Sequence, residues 1–547
     1  MIKKNLTWGA IICFLTLTLI SADTPSSRYF QISKNMEILS SVYAEVNRYY
    51  VDELEPNRLM KIGIDAMLES LDPYTVYIPE DDIEDFRTIS SGEYGGIGAI
   101  IGTRKERILV LMPYKGFPAY KAGLKIGDEI VEISGKSTKG KNSNEISKLL
   151  KGQAGTELQL KVKRYAQETL INLSLTREKV TIENVPYYGM INDEIGYFKL
   201  SKFTRKASEN VANAIKELQA EGATKFVFDL RGNGGGLLNE AINIAGLFVP
   251  KGSEAVSTRG KVEQWNETFK TRTSPILPDA PIVVLTNGRS ASASEIVAGV
   301  LQDYDRGVLV GSKSFGKGLV QSVKDISYQS KVKITTAKYY IPSGRCIQAI
   351  DYGNRTKDGT AKKLPDSLLT PYKTKAGRLV YDGAGLTPDV KIKKEKPSAI
   401  LSALISQDLI FDYATTYYYQ HDSIGDLKKY KFIEYNDFIH WLKTQDYSYK
   451  IPAENSLDKF KADVSKNKLF DFSKEIVAFE EKIKIEKNND LVEFKKEIIK
   501  VIKREIITRY YYQKGLIEAT FDDDKDILKA VELLSDIKKY NFLLKKE

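Results

Sequence analysis

Apolar and polar positions along the chain change their spacing several times, and each change predicts a different kind of element. Residues 28–90 carry apolar side chains at helical intervals, as in MEILSSVYAEVNRYY, which predicts a helical N-terminal region. Short apolar runs with glycine turns follow up to about residue 177 and predict a β domain. Residues 195–230 then alternate strand and helix patterns, which is typical of a layered α/β core. From about residue 398 the helical spacing returns.

These changes predict an α+β multidomain chain, because 547 residues are too many for a single hydrophobic core. Neither an internal repeat nor a low-complexity linker interrupts the pattern. The predicted segments are a signal peptide at 1–22, a helical region at 23–90, a β domain at 91–178, an α/β core at 179–397 and a helical C-terminal extension at 398–547.

The stretch from Pro281 to Gln321 organises the predicted core. Its apolar run PIVVL predicts a buried strand, a turn follows at Asn287 and Gly288, and a helix is expected to begin near Ser294. A strand that feeds a helix through a tight turn can present a nucleophile, because nearby backbone N–H groups can stabilise an oxyanion. The small residues and serines of SASASE fit such a turn, and they also fit a simple capped helix start.

The scarcity of histidine narrows the chemistry. The chain has two histidines, His421 and His440, and both lie far downstream in the helical extension. A Ser-His-Asp triad is therefore poorly supplied, and another activator of a serine is a lysine that burial keeps neutral. Lys317, in the glycine-flanked motif SFGKGLVQ, is the candidate for this role.

These two motifs together resemble a known family. NGRSASASEI followed by SFGKGLVQ is similar to the active-site signature of the carboxyl-terminal processing proteases, also called tail-specific proteases, which use a Ser-Lys dyad. The resemblance implies that Ser292 is the nucleophile, Lys317 the general base and Gln321 the residue that orients the lysine. For the catalytic core it implies the α/β arrangement shared with Clp-type and crotonase-like proteins.

Other polar residues of this stretch are expected to be structural. The resemblance leaves Ser290 and Ser294 as turn and cap residues. Asp303 lies three helical turns beyond Ser292, or roughly 16 Å at 1.5 Å per residue, which is too far for a triad. We expect it to be a structural partner of Arg306.

A glycine-rich loop, RGNGGG, follows the predicted strand FVFDL. Its glycines would let the backbone approach a substrate and direct N–H groups at an oxyanion, although a plain strand-to-helix turn has the same pattern. The resemblance assigns the loop to the oxyanion hole, with the backbone of Gly234 or Gly235 joining that of Ala293. Asp229 and Arg231 are expected to form a structural charge pair.

The predicted β domain resembles a PDZ domain in its motifs YGGIGAII and GLKIGDEI, with an ordinary β-hairpin as the alternative. A PDZ domain binds a peptide by strand addition, and its glycine-rich loop offers N–H groups to the terminal carboxylate. The resemblance implies peptide-binding residues at Gly95, Gly96, Ile97 and Gly98. Lys151 stands where the family often has arginine, so coupling between peptide binding and the active site stays open.

A nucleotide-binding loop is the main rival interpretation of the lysine motif. Gly311 to Lys317 spells G, four residues, then GK, but Gly318 stands where Ser or Thr would bind magnesium. The following residues LVQSV predict a strand, whereas a phosphate-binding loop must lead into a helix. The strand pattern therefore favours the protease interpretation.

The N-terminus has the layout of a secretory signal. Lys3 and Lys4 precede a largely apolar run that is short for a membrane span, so cleavage near Ala22 is expected, with an uncleaved anchor as the alternative. The protein is then exported to the periplasm, or held at the inner membrane if the signal stays. Only Cys346 would remain in the mature chain, which excludes an internal disulfide.

Composition excludes several classes of function. The net charge of +10 lies upstream of residue 401, while the helical extension is balanced, so no nucleic-acid partner is expected. Histidine and cysteine are too few to suggest a metal site, and no cofactor is implied.

The sequence thus predicts an exported serine endopeptidase. It would capture unstructured C-terminal tails in its PDZ domain and cleave them with a Ser-Lys dyad, with an adaptor, a second copy of the chain or a membrane surface as further candidate partners. The alternative from another class is a non-catalytic PDZ scaffold. The natural substrate, the oligomeric state and the role of the helical extension are not encoded in any recognisable pattern.

Overall fold

The computed structural model describes residues 25–545, apart from 357–358, 364, 366–368 and 467–470. The predicted signal peptide at 1–22 therefore lies outside the described residues. The chain divides into two compact units, Met1–Tyr77 and Ile78–Glu547. None of the helices in the described part combines the length and the hydrophobicity that crossing a membrane requires.

The first unit contains the helices Pro25–Tyr49 and Pro56–Glu69, and the short strand Val76–Ile78 follows. The hydroxyl of Tyr43 donates to the carbonyl of Pro56 at 2.9 Å and so ties the first helix to the start of the second. A turn follows the second helix, in which the carboxylate of Asp72 accepts the backbone N–H groups of Tyr74 and Thr75.

In the second unit, the helix Ile83–Ser91 leads into an antiparallel β domain with the pattern expected of the PDZ segment. The sheet runs in the order Ala99–Arg104, Arg107–Pro113, Glu129–Ile133, Glu157–Lys163 and Ile171–Thr176, and Lys136–Ser137 pairs with the third of these strands. Its helices are Pro118–Lys121 and Ser143–Leu150. The strands Glu93–Gly96 and Glu178–Thr181 pair with each other where the chain enters and leaves the domain. Ala99–Arg104 is an edge strand of this sheet, and Ile171–Thr176 is the other.

The predicted α/β core is built on a six-stranded sheet. Its strands follow the order Tyr187–Met190, Ile195–Lys199, Lys225–Asp229, Ile282–Thr286, Val308–Gly311 and Val390–Lys391. The first pair is antiparallel and the other pairs are parallel. Parallel sheets need cover on both faces, which explains why the middle positions of the central strands are apolar.

Different parts of the chain cover the two faces of this sheet. Phe226 and Phe228 point to the face that is covered by the helices Ala207–Ala220, Leu238–Ala245 and Ala293–Asp303. Val227 between them points to the opposite face, where it packs in a cluster with side chains from residues 517–544. The helices on that face are Lys525–Ser535 and Ile537–Leu543. The helical extension therefore completes the catalytic core.

A second, antiparallel sheet brings in the lysine motif. Leu319–Asp325 and Glu254–Gly260 both pair with Lys331–Tyr340, and Glu267–Lys270 pairs with Glu254–Gly260. The strand predicted after Lys317 is thus confirmed, and no helix begins there, which contradicts the nucleotide-binding interpretation. The remaining short elements are the hairpins Ile350–Arg355 with Ala361–Lys363 and Pro371–Lys373 with Leu379–Tyr381, and the 3₁₀ turns Glu80–Asp82 and Glu263–Trp265.

The C-terminal extension is helical, as predicted. Upstream of the two helices that cover the sheet, it contains Ala399–Ser406, Leu409–Gln420, Tyr435–Leu442, Pro452–Lys466, Ser473–Glu493 and Lys495–Glu518. The last of these bends at Tyr512, whose backbone is not helical (φ 56°, ψ −152°). The α+β multidomain class expected from the sequence is confirmed.

The helix Leu409–Gln420 joins this extension to the β domain. Asp408 and Asp412, at its start, form ion pairs with Arg104 and Arg107 on the β-domain hairpin. Phe411 packs with the buried side chains of Leu109 and Ile126, and Thr415 lies so close to Gly127 that a Cβ there would approach it to 2.9 Å. The extension therefore contacts both the β domain and the catalytic sheet.

Candidate active site

Ser292 stands at the junction between the strand Ile282–Thr286 and the helix Ala293–Asp303. Its backbone has φ 56° and ψ −116°, a conformation that residues other than glycine rarely adopt. Such a strained turn directly before a helix N-terminus is the arrangement that exposes a nucleophile in other hydrolases. The predicted strand, turn and helix are confirmed.

The three serines of the turn have different environments. Ser290 and Ser294 are 1% and 0% exposed, and each hydroxyl donates to a backbone carbonyl, that of Leu230 at 2.9 Å and that of Asn233 at 2.8 Å. Ser292 is only half-buried. Of these three hydroxyls, that of Ser292 has the accessibility that a nucleophile needs.

The carboxylate of Glu295 is the centre of the site. It is fully buried, and its Oε2 accepts the backbone N–H groups of Ser292 and Lys317, each at 2.9 Å. Because both backbone nitrogens bond the same oxygen, the nitrogens of Ser292 and Lys317 lie no more than twice 2.9 Å apart. Oε1 accepts the N–H of Gly316 at 2.7 Å and the hydroxyl of Ser314. Burial raises the pKa of Glu295 to about 7, although these hydrogen bonds oppose the rise.

Tyr339 ties the same two residues together from the carbonyl side. Its hydroxyl donates to the carbonyl of Lys317 and lies 3.2 Å from the carbonyl oxygen of Ser292, while its own N–H donates to Gly318. The side chain is 2% exposed, so water does not compete for these bonds. The peptide groups of the serine and the lysine are thus fixed on both sides.

Lys317 lies in a close-packed loop between two glycines and is half-buried. Gly316 has φ 87°, and a Cβ there would approach the Cβ of Ala349 to 2.4 Å. A Cβ on Gly318 would approach the backbone nitrogen of Gln348 to 2.8 Å. The two glycines therefore allow this loop to pack against residues 348–349.

Gln321 lies four residues beyond the lysine, on the strand Leu319–Asp325. Its amide donates to the hydroxyl of Thr335 on the neighbouring strand at 3.4 Å. The strand thus brings Gln321 to the sheet that carries Tyr339, and its role in orienting the lysine remains a prediction.

The loop RGNGGG lies against the serine turn, as an oxyanion role requires. A Cβ on Gly235 would approach Ser292 Cβ to 2.9 Å and the nitrogen of Ala293 to 3.0 Å, whereas a Cβ on Gly234 would meet no atom within 4 Å. However, the N–H of Gly235 donates to Asn233 Oδ1 at 2.9 Å. The buried side chain of Asn233 accepts that hydrogen in this conformation, and the expectation that Gly234 or Gly235 donates to the oxyanion stays a prediction.

The charge pair expected in this loop is present and is larger than predicted. Arg231 bonds both oxygens of Asp229 at 3.0 and 2.8 Å, and it also binds Asp524 and Asp526 of the helical extension. Burial opposes the ionisation of Asp229, but Lys199 and Arg231 hold its pKa well below the usual range. The pair anchors the C-terminal helices beneath the loop.

The prediction that Asp303 pairs with Arg306 is wrong. Asp303 binds Arg345 at 2.7 Å, whereas Arg306 donates to the carbonyls of Phe248, Leu277 and Ala280. The guanidinium of Arg345 is almost fully buried and also contacts Gln302. Asp303 therefore has a structural role, as expected, but it binds the loop that contains Arg345 and not the nearby Arg306.

The predicted peptide-binding residues are divided between two elements. Gly95 and Gly96 belong to the strand Glu93–Gly96, and Gly98 follows in a turn with φ 69°. Ile97 alone of the four lines a narrow cavity between the edge strand Ala99–Arg104 and the helix Ser143–Leu150. In the described part of the chain, no cluster of three or more His, Cys, Asp or Glu residues could hold a metal ion.

Sequence reasoning missed the two residues that assemble the site. The sequence marks Glu295 as an acidic residue at a helix N-terminus, where its charge is favourable, and Ser292 and Glu295 have the spacing of a capping box. Nothing in the sequence indicated that its carboxylate would also bind the lysine loop. Tyr339 gave no signal beyond its place in a strand.

Comparisons with known proteins agree with this geometry. Residues 194–354 match the family model "Peptidase family S41", residues 110–164 match "PDZ domain", and residues 400–534 match "Probable PDZ-protease, C-terminal helical domain". The last match shows that the helical extension also resembles a known domain of PDZ-containing proteases.

Similar curated proteins include the carboxy-terminal-processing protease of Bartonella bacilliformis, which is 36% identical over 335 residues. That alignment covers 60% of this chain and 76% of the relative. Carboxy-terminal processing protease CtpA of Bacillus subtilis is 33% identical over 353 residues, with 64% and 72% covered. Among solved structures, the photosystem II D1 C-terminal processing protease is 27% identical, with 68% of this chain and 95% of that chain covered and a TM-score of 0.37.

Proposed function

The chain belongs to the family of carboxy-terminal processing proteases, and from that premise we propose that Ser292 is its nucleophile and Lys317 its general base. The protein is a serine-type peptidase that processes the C-terminal tails of proteins. The non-catalytic scaffold that was the alternative is therefore wrong. The observation that carries the residue assignment is the shared binding of both backbones by Glu295 and Tyr339.

In the proposed reaction, the neutral amine of Lys317 accepts the proton of the Ser292 hydroxyl as its oxygen attacks the peptide carbonyl. The resulting ammonium then protonates the leaving amine as the peptide C–N bond breaks, which leaves an acyl-enzyme. Water then attacks the ester and gives a proton to Lys317, which passes it to the departing Ser292 oxygen as the C–O bond breaks, so that the new carboxyl terminus is released and Ser292 is restored. Gln321 is proposed to orient the lysine.

Charge on the carbonyl oxygen in this reaction needs backbone donors. We assign this role to the N–H groups of Gly234 and Ala293. A side chain at Gly234 would meet no neighbour, so substrate can approach there, and Ala293 is the first residue of a helix, where backbone N–H groups lack intrahelical partners.

Tail capture is assigned to the PDZ domain, with the segment Gly95–Gly98 near the terminal carboxylate. The edge strand Ala99–Arg104 supports this proposal, because its outer side can pair with an added peptide strand. The same proposal includes export to the periplasm, with a signal at 1–22 that is either cleaved or kept as an anchor. It also includes a second copy of the chain, an adaptor or a membrane surface as partner. Export is supported by the sequence of the N-terminus alone.

The test compares Ser292→Ala and Lys317→Ala with Lys313→Ala, since Lys313 is an exposed lysine of the same loop. Cleavage of a test protein with an unstructured apolar tail should fall by at least about 1,000-fold in the first two variants, because each removes a group that takes part in bond making. Lys313→Ala should cleave at the wild-type rate. Wild-type cleavage by Ser292→Ala would contradict the assignment of the nucleophile, and wild-type cleavage by Lys317→Ala that of the base.

A further inference from the structure

The strand Lys225–Asp229 ends beside a charge cluster that it shares with the helical extension. The guanidinium of Arg231 bonds Asp229 through Nε and Nη2. Its Nη1 donates to Asp524 at 2.8 and 2.9 Å and to Asp526 at 2.9 Å. The side chain of Arg231 is only 13% exposed, so solvent competes little for these bonds. Because all three nitrogens of this planar group are bonded, the carboxylates on its two sides fix its orientation.

The two acids from the extension are held in place by their own helix. Asp524 is the N-cap of the helix Lys525–Ser535, and its carboxylate accepts the backbone N–H groups of Asp526 and Ile527. Negative charge is favourable at the N-terminus of a helix, so this helix stabilises both acids where they stand. Ile527 and Ala530 pack the helix onto the catalytic sheet. The acids therefore form a rigid support for the guanidinium.

Arg231 is also the first residue of the glycine-rich loop RGNGGG. Gly232, directly after it, donates its N–H to Asn287 Oδ1 in the serine turn at 3.1 Å. The carbonyl of Asn233 accepts the N–H of Ala291, the residue before the proposed nucleophile, at 3.0 Å. A shift of the arginine backbone is therefore passed to the loop and to the turn that carries the nucleophile.

The middle of this loop has little steric support of its own. A Cβ on Gly232 or on Gly234 would find no neighbouring atom within 4 Å. The position of the Gly234 N–H, which we assigned to the oxyanion, thus depends on the bonds at the two ends of the loop. Arg231 forms the end that is bonded to the helical extension.

We propose that Asp524 and Asp526 are positioning residues for the oxyanion loop and that they act through Arg231. This inference rests on the proposed function, in which a backbone N–H group of the loop stabilises charge on the substrate carbonyl. That charge develops only as the carbonyl is attacked, so the acids act on the chemical step and not on substrate binding. The helical extension then contributes to catalysis as well as to the cover of the sheet.

The experiment removes the charge of the two acids without changing their shape, in the full-length protein. Asparagine is also a good N-cap, so Asp524→Asn and Asp526→Asn preserve the start of the helix. In the double variant we expect kcat for a tailed test protein to fall about 30-fold, with KM within about twofold of the wild type. The loss is smaller than the roughly 100- to 1,000-fold effect of deleting an oxyanion donor, because the donor is displaced and not removed. Asp526→Glu, which keeps the charge, should recover most of kcat.

Asp536→Asn is the matched control for these variants. Asp536 caps the next helix, Ile537–Leu543, where its carboxylate accepts the N–H of Lys539. This substitution should leave kcat unchanged. Rates are compared well below the melting temperature of each variant, measured by circular dichroism, so that unfolding does not lower them.

Wild-type kcat in the folded double variant, or an equal loss of kcat in Asp536→Asn, would overturn the positioning role. A rise in KM without a loss of kcat would overturn it as well. If the double variant does not fold, the two single variants carry the same test, since each leaves one acid on Arg231. Ser292→Ala is assayed in parallel: cleavage at the wild-type rate would overturn the proposed function and this inference with it. If Ser292→Ala is inactive while the double variant keeps wild-type kcat, this inference alone fails.

Discussion

The buried carboxylate of Glu295 positions the backbones of Ser292 and Lys317 relative to each other. Glu295 accepts hydrogen bonds from four donors, two of which are the peptide groups of the proposed catalytic residues. An ionised carboxylate is needed for this, because a protonated one would turn an acceptor into a donor. Glu295 is therefore a positioning residue, and its ionisation is expected to control the geometry of the site.

Replacing this carboxylate by an amide tests its role. In Glu295→Gln, one acceptor oxygen becomes an NH₂ group that faces backbone N–H groups, at a cost of about 1.5–3 kcal/mol for each charged hydrogen bond lost. We expect kcat/KM to fall roughly 100-fold while the chain stays folded by circular dichroism. Glu240→Gln is the control, because Glu240 also accepts two backbone N–H groups but lies on another helix. Equal losses in both variants would contradict a specific role for Glu295.

The raised pKa of Glu295 predicts a dependence of stability on pH. Between pH 4.5 and about 7 the folded chain keeps a proton on this carboxyl that the unfolded chain releases. The free energy of unfolding should therefore fall as pH rises through this window, while activity rises as the carboxylate forms. In urea titrations the wild type should lose stability relative to Glu295→Gln between pH 5 and pH 8. If the difference in unfolding free energy between the wild type and Glu295→Gln stays constant between pH 5 and pH 8, Glu295 does not titrate in this range.

At the scale of elements, the lysine loop is held by close contact as well as by hydrogen bonds. Gly316 and Gly344 have nearly the same backbone angle, with φ 87° and 86°. A Cβ on Gly316 would meet Ala349 at 2.4 Å, whereas one on Gly344 would find its nearest neighbour at 3.7 Å. Comparing a substitution at Gly316 with one at Gly344 therefore separates the cost of positive φ from the cost of a steric clash.

Alanine at these two glycines should give different results. Both substitutions place a side chain at positive φ, which costs roughly 1 kcal/mol of stability. Gly316→Ala must also displace the loop, and with it Lys317, so we expect at least a tenfold loss of kcat/KM. Gly344→Ala should keep activity with a similar loss in melting temperature. Full activity in Gly316→Ala would show that the loop tolerates displacement.

Elements of the site were predictable where a local pattern determines them. The apolar run before Asn287 and the small residues after it predicted the strand, turn and helix that hold Ser292. The side-chain partners were not predictable, because they come from distant parts of the chain. The side chain of Asn233 accepts the N–H of Gly235, and Arg345 donates to the carboxylate of Asp303. The sequence does not show which of these polar groups lie close together in the fold.

At the scale of the whole molecule, the helical extension connects the tail-binding domain to the catalytic sheet. Phe411 packs against the β domain between the guanidinium groups of Arg104 and Arg509, while Tyr540 bonds the backbone of Ile282 in the sheet. The sequence indicated amphipathic helices there but not the surfaces that they cover. Periodicity shows that a helix has an apolar face, and only the fold shows what that face contacts.

Loosening this connection should affect substrates according to their length. Phe411→Ala removes packing at the β domain without touching the active site, so we expect about fivefold slower cleavage of a tailed protein and an unchanged rate for a short peptide. Leu401→Ala is the control, because Leu401 is buried among the C-terminal helices away from the β domain. That control should affect both substrates equally. Equal slowing of both by Phe411→Ala would contradict a role in holding the PDZ domain.

The cover of the catalytic sheet also has a consequence for biogenesis. Val227, Val283 and Val310 face helices formed by residues 525–543, which are synthesised after all strands of the sheet. Until those helices emerge, one side of the hydrolase has no second layer and its hydrophobic strands stay bare. The fold of the catalytic core can therefore be completed only after those helices have been made.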